Sequence, residues 1–358
     1  MAGTNILCTE SFMVSNFALK SGQSSDYSDV RMMSVSEILA KYQVSISGDN
    51  TSTRRPCQTE INAVAKGTNW TTVSSSYNFT AVAYGNGIFV ALPQVGGYIL
   101  YSVDGTTWAT MLTGNSNIYW SIAYGNGIWV ACGNAANSMT STSGVTGWTQ
   151  RTASNQSGAY PSIEFLNGYF LLCYNSGNWN GRSSDGITWT SNAAGNSGWA
   201  DTAWNGASKY IRVGSASGSQ FKSSPDGINW TALQNQTSMK NPYVSVAYGA
   251  GLFVAQLGNI GGGWPYPSQV GNLTSPDGVT WTLRSPSPIY IPRAMRFGNG
   301  VFVCVGQGYS YTPYCIITVS TDGINWTNNN MYGSYVAVAY GNGIWVAVGY
   351  NLIGRADG

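Results

Sequence analysis

The sequence predicts an all-β chain: one seven-bladed β-propeller closed by strand pairing between its two ends, preceded by a mostly non-repetitive N-terminal arm with one short helix. Three observations predict it. An apolar hairpin unit recurs seven times, a Ser-x-Asp-Gly-x-x-Trp unit alternates with it, and the composition favours turns and strands. Only 8% of residues are charged, against roughly a quarter in ordinary soluble proteins, while Gly (45), Tyr (23) and Trp (14) are abundant.

The hairpin unit is clearest from Ala81 to Ala91, where two apolar strands flank a turn at Gly85, Asn86 and Gly87. Asn-Gly pairs tolerate the positive φ of a two-residue hairpin turn. An aromatic residue follows each turn, at Phe89, Trp129, Phe170, Tyr210, Phe253, Phe302 and Trp345.

The second unit is complete at Ser102 to Trp108, Ser183 to Trp189, Ser224 to Trp230, Ser275 to Trp281 and Ser320 to Trp326. Ser141 to Trp148 and Gly67 to Trp70 are degenerate copies. In each box the Asp can accept backbone N–H bonds, the Gly supplies positive φ, and the Trp offers a large surface to bury. Asp104, Asp185, Asp226, Asp277 and Asp322 are therefore read as structural box residues. A small antiparallel sheet cannot bury both faces alone, so the units must stack, and radial stacking gives a propeller.

Closure follows from the chain ends. The first box tail, at Trp70, precedes the first hairpin, and the seventh hairpin, at Tyr340 to Trp345, has no box tryptophan after it. Gly67 to Ser74 should then be the outer strand of a blade whose inner strands come from residues 335 to 356. The propeller accordingly spans 61–358 and the arm 1–60.

Several function classes are disfavoured. A net charge of +2 with scattered basic residues does not suit nucleic acid. No run of eighteen apolar residues calls for membrane insertion, and no basic-then-apolar leader follows Met1, which suggests synthesis and folding in a cytoplasm. Histidine is absent, so His triads and His-ligated metals are excluded. No Walker loop or dinucleotide fingerprint implies a cofactor. The six cysteines lack metal spacing. Cys132 and Cys173 fall inside apolar strands and read as core, whereas pairing of Cys8 with Cys57 in the arm stays open.

Catalysis is limited by carboxylates. Of 14 acidic residues, six lie in the arm and five in the boxes, which leaves Glu164, Asp201 and Asp357. Two-carboxylate hydrolysis would have to rest on Glu164 and Asp201, and these read more simply as exposed or locally bonded loop residues. The chain is not expected to be an enzyme.

Binding residues are sought on the face opposite the boxes. From the post-turn aromatic to the box Trp the spacing is 19, 19, 19 and 20, then 28 and 24. Both insertions fall between the second and third strands, in 258–269 and 306–314. They hold Trp264, Tyr266, Tyr309, Tyr311 and Tyr314 among Gly, Ser and Pro, a mixture suited to contact surfaces. Capping of the blades by the same rings is the alternative. Trp179 is a further candidate.

The arm is mostly polar. Ser34 to Glu37 forms a capping box, with Ile38, Leu39 and Tyr42 following at helical spacing. Scattered apolar anchors, among them Ile6, Phe12 and Phe17, suit ordering on a partner or wrapping on the propeller itself.

The Ser-x-Asp-Gly-x-x-Trp units resemble the Asp-box, or bacterial neuraminidase repeat, of sialidase-type propellers, with one residue fewer between Asp and Gly. That resemblance implies a structural turn for the box aspartates. With its Tyr-Gly-Asn-Gly hairpins and polar arm, the whole chain is similar to propeller proteins of tailed-phage virions. That likeness implies a virion structural protein (tail fibre, spike or decoration), oligomeric on the particle. Residues 1–60 would dock to other virion proteins and the propeller would meet a host-surface glycan or protein. A soluble carbohydrate-binding or sialidase-like glycoside-processing propeller is the rival.

Overall fold

The computed structural model describes residues 5–6, 17–19, 33–34, 44–46, 67–153, 159–176, 179–193, 198–214, 221–233, 243–258, 271–284, 291–307, 317–329, 331 and 333–358. The chain divides into two compact units, Met1–Ala65 and Lys66–Gly358. In the first, Asn5–Ile6 pairs with Met33–Ser34 and Phe17–Leu19 with Val44–Ile46, all antiparallel. No helix occurs among the described residues. Ser34, expected to cap one, instead pairs with Asn5 in a strand, and residues 35–43 lie outside the described ones, as do Cys8 and Cys57.

The second unit is a propeller of antiparallel sheets. Its backbone hydrogen bonds define five four-stranded sheets and one six-stranded sheet. Counted by sheets it is six-bladed, which corrects the expected seven. The extra repeat has no separate sheet because strand Trp70–Gly85 is uninterrupted. Its first half pairs with the chain end, with Ile353 opposite Val73 and Ala356 opposite Trp70. Its second half pairs with Ile88–Pro93 and opens the first repeat. The last and first repeats thus share one sheet, and the Gly67 N–H donating to the Asp357 carbonyl (3.0 Å) ties the ends beside it.

Local chemistry sets each hairpin. At Asn86–Gly87, Asn126–Gly127, Asn299–Gly300 and Asn342–Gly343 both residues have positive φ, as tight hairpin turns require. All seven post-turn aromatics are buried, from Phe89 to Trp345, each contributing about 1.5–3 kcal/mol on burial. The core lies between neighbouring repeats. One cluster joins Val90 and Ile99 to Trp129 and Met139, another joins Val130 and Cys132 to Phe170 and Leu172, and a third joins Val346 and Val348 to Phe89 and Leu100. Cys132, Cys173 and Cys304 are buried free thiols, and burial raises their pKa.

The boxes join repeats as well as close turns. Box glycines have positive φ, and a Cβ on Gly186 would lie 2.3 Å from Val130 Cγ2 of the preceding repeat, one on Gly323 2.5 Å from Val254 Cγ2. Polar pins cross other seams between repeats: Arg182 Nη1 donates to the Asp226 carbonyl (2.6 Å), Lys209 Nζ to that of Asp277 (2.7 Å), and Arg355 Nε to that of Asp104 (3.0 Å). Arg212 is fully buried between repeats, stacked 4.1 Å from the Trp230 ring and donating to Thr202 and Asn180.

Candidate functional site

The first strand of every repeat lines the central channel, where two adjoining cavities of about 220 and 180 Å³ share Val82, Ile122, Glu164, Arg296 and Val338 as walls. At the hairpin end the wall is aromatic, with Tyr84, Tyr124, Phe165, Phe297 and Tyr340. These rings sit against the hairpin glycines of the preceding repeat. A Cβ on Gly85 would lie 2.2 Å from the Tyr124 ring, and one on Gly341 1.9 Å from the Tyr84 ring, so glycine is required there by close approach.

At the opposite end most first strands bulge. Register shifts leave Thr80, Trp120, Ala200, Val244, Arg293 and Val336 without a partner residue, and all six line the second cavity. Bulges re-aim side chains and cluster at barrel rims and functional sites. Beside this mouth Trp120 meets Tyr160 edge-on at 4.9 Å. Tyr160 is 56% exposed and has φ +52 although it is bulky and precedes Pro161, a conformation that costs on the order of 1–3 kcal/mol. Its N–H donates to Asn134 Oδ1 (2.8 Å), and Ala135 and Ala136 also have positive φ.

An ion cluster crosses the channel. Arg296 pairs with Glu164, and its Nη1 donates to Asp201 Oδ2 at 3.2 Å. The side chains are 36%, 19% and 6% exposed for Arg296, Glu164 and Asp201 respectively. Asp201 takes three further donors, the Thr202 N–H (2.9 Å), Ser245 Oγ (2.6 Å) and the Val246 N–H (3.2 Å). The last of these belongs to a pattern. Ser121 Oγ accepts the Ile163 N–H and Ser245 Oγ the Met295 N–H (3.1 and 3.0 Å), so a side chain of one repeat satisfies an inner-strand N–H of the next. That satisfaction matters because an open sheet edge is a liability. Loss of water pushes Glu164 up to about 8, repulsion from Asp201 adds to this, and Arg296 opposes it.

The structure thus brings together Glu164 and Asp201, which had read as exposed or local loop residues. They lie within strands Ala159–Leu166 and Trp199–Trp204 and face the channel. Arg296 was missed. Aligned by hairpin, the repeats place Ala83, Ala123, Glu164, Ala203, Ala247, Arg296 and Ala339 in equivalent positions, so a Glu and an Arg among five alanines were a readable signal.

At the boxes, each Ser Oγ donates to its Asp Oδ1 at 2.9–3.0 Å for Asp104, Asp185, Asp226, Asp277 and Asp322. Each Oδ1 also accepts two backbone N–H groups of the turn, as from Thr106 and Thr107 to Asp104 at 2.8 Å. Hydrogen bonding of this kind holds the Asp185 and Asp277 carboxyls down to about 2, against the partial desolvation that raises them. Trp264, Tyr266, Tyr309, Tyr311 and Tyr314 lie outside the described residues. Trp179 opens strand Trp179–Ser183, opposite Ala193. Among the described residues no group of three His, Cys, Asp or Glu side chains could hold a metal ion, and no helix is long and apolar enough to cross a membrane.

No family model and no curated protein matches the sequence. Solved propellers do match in fold. YCF48 bound to D1 peptide is 15% identical, with 81% of this chain and 97% of that chain covered and a TM-score of 0.60. Virginiamycin B lyase from Staphylococcus aureus is 11% identical over 80% and 98%, with a TM-score of 0.63. The GH74 xyloglucanase from Xanthomonas campestris is 14% identical over 81% and 54%, with a TM-score of 0.59. At such identities the likeness shows the β-propeller fold alone.

Proposed function

We propose that this chain is a non-catalytic display module of a tailed-phage particle, in which residues 1–60 anchor to other virion proteins and the propeller presents a binding face to a host-surface molecule or protein. The observation that carries the non-catalytic part is the occupation of the carboxylates. The five box aspartates hold turn N–H groups, and Asp201 is engaged by four donors. A general base or nucleophile needs a free lone pair within reach of substrate, and Asp201 has little left to offer. The phage assignment rests on the likeness of the repeat and arm to virion propellers. The solved neighbour with a bound peptide supports protein binding by this fold, and the segments 258–269 and 306–314 carry the aromatic residues expected to make the contacts.

Particles carrying Ser in place of Trp264, Tyr266, Tyr309, Tyr311 and Tyr314 test the reading. Normal assembly with adsorption lost is expected, because a few aromatic anchors commonly dominate an interface. Unchanged adsorption overturns the role of that face. A second reading, glycoside processing, draws on Glu164, whose raised carboxyl sits in a channel beside another carboxylate, the setting in which catalytic acids are found. Turnover of a glycoside panel by the purified chain, abolished by Glu164→Gln, would favour it.

A further inference from the structure

We propose that the channel mouth lined by Thr80, Trp120 and Arg293, with Tyr160 against Trp120 at its edge, is a binding site for an acidic saccharide, the sugar ring resting on the Trp120–Tyr160 pair and its carboxylate on Arg293. This deepens the display-module reading and rests on it.

Backbone strain is the first support. Counted from the hairpins, the counterparts of Tyr160 are Phe79, Tyr119, Trp199, Tyr243, Pro292 and Tyr335, none of which has positive φ, whereas Tyr160, next to Pro161 in the one first strand that pairs without a register shift, is held at φ +52 by Asn134 and exposed beside Trp120. Propeller geometry does not require this conformation, since the other repeats manage without it. Strain that the scaffold does not need is a mark of functional positions.

Charge is the second. Arg296 is engaged by Glu164 and Asp201, whereas among the described residues the side chain that Arg293 bonds is the neutral Gln307, through Oε1 at 2.9 Å. Arg293 is exposed and lines the same cavity as Trp120. The mouth therefore offers, across the cavity from an aromatic surface, a guanidinium with no carboxylate partner among the described residues, and a guanidinium binds a carboxylate through paired N–H donors.

Shape is the third. A cavity of about 180 Å³ is smaller than a drug-sized pocket, roughly 300–1,000 Å³, and admits the tip of a chain rather than a whole ligand. A peptide adding as a strand would need free inner-strand N–H groups, yet those of Ile163, Val246 and Met295 are taken by the preceding repeats. A sugar needs no such edge. Its C–H face stacks on the rings while its hydroxyls meet polar groups such as Thr80 and Ser162, which line the cavity.

The test uses the full chain against an immobilised panel of uronic-acid-containing oligosaccharides, their carboxyl-reduced counterparts, and acidic peptides of equal charge. Retention on the uronic-acid members, at least tenfold weaker after carboxyl reduction and at least tenfold weaker for Arg293→Ala at unchanged melting temperature, is the expected result. Tyr160→Gly should weaken binding at least fivefold while raising the melting temperature, a combination that a purely structural tyrosine would not give. Retention by peptides instead, by no member of the panel, or without loss in Arg293→Ala overturns the proposal. Incorporation of Arg293→Ala chain into particles is scored separately, so a failed saccharide site is distinguishable from a failed virion assignment.

Discussion

Replacing Gly186 by Ala probes the seams that hold the propeller together. Gly186 has φ +68, and an added Cβ would lie 2.3 Å from Val130 Cγ2 in the preceding repeat. Two penalties combine. The left-handed conformation costs an L-residue about 1–2 kcal/mol, and overpacking against a fully buried Val130 adds about 1–3 kcal/mol. Gly168, in the same repeat, has φ +79 with nothing within 4 Å of its would-be Cβ, so Gly168→Ala should show the conformational penalty alone. The difference between the two variants, about 1–3 kcal/mol, then measures the seam, and at roughly 2–4 °C per kcal/mol for a domain approaching this size it is resolvable by thermal melting and urea titration. Adding Val130→Ala to Gly186→Ala should recover part of the loss through coupling of about 0.5–3 kcal/mol. Equal destabilisation by Gly186→Ala and Gly168→Ala, without that recovery, would show that box glycines serve turn conformation only.

Other perturbations have equally definite outcomes. Deleting residues 1–60 should leave a cooperative melt, whereas deleting 1–76 removes the stretch paired with 352–356 and should cause aggregation through an open edge; equal melting temperatures would refute closure through that strand. Asp226→Ala removes the acceptor for the Ile228 and Asn229 N–H groups and should cost on the order of 1–2 kcal/mol in urea titration, and no loss at all would refute the turn's role. The Asp185 and Asp277 carboxyls lie at about 2 in the fold against an ordinary 3.8, so their stabilisation is complete above 3.8 and is lost as pH falls through 2. Glu164 runs the other way, from 4.5 up to about 8: its stabilisation is complete below 4.5 and declines as pH rises to 8. Glu164→Gln should flatten the melting temperature between pH 5 and 8, and an unchanged slope would refute the assignment.

The parts of the fold visible in the sequence were those with a strong local cause. Phe89, Trp129 and their counterparts are large, regularly spaced and buried without exception, and the Asn-Gly turns announce their own conformation. The sheet count was not visible, because counting hairpins cannot show that Trp70–Gly85 runs on as one strand from the last repeat into the first. Nor was the channel cluster. Glu164, Asp201 and Arg296 come together across strands distant in sequence, and a charged residue in a strand ordinarily faces water. Lining up Ala83 with its six counterparts would have exposed Glu164 and Arg296. Tyr160 carried no signal beyond Pro161 after it, since its positive φ depends on Asn134 in another repeat.

Quantitative mass spectrometry of density-purified particles tests the account most directly. The account predicts peptides from both 1–60 and the propeller in the virion fraction, at a fixed ratio to the known structural proteins and resistant to high-salt washing. Recovery of the chain solely as soluble monomer, with turnover of a glycoside by that fraction, would contradict it.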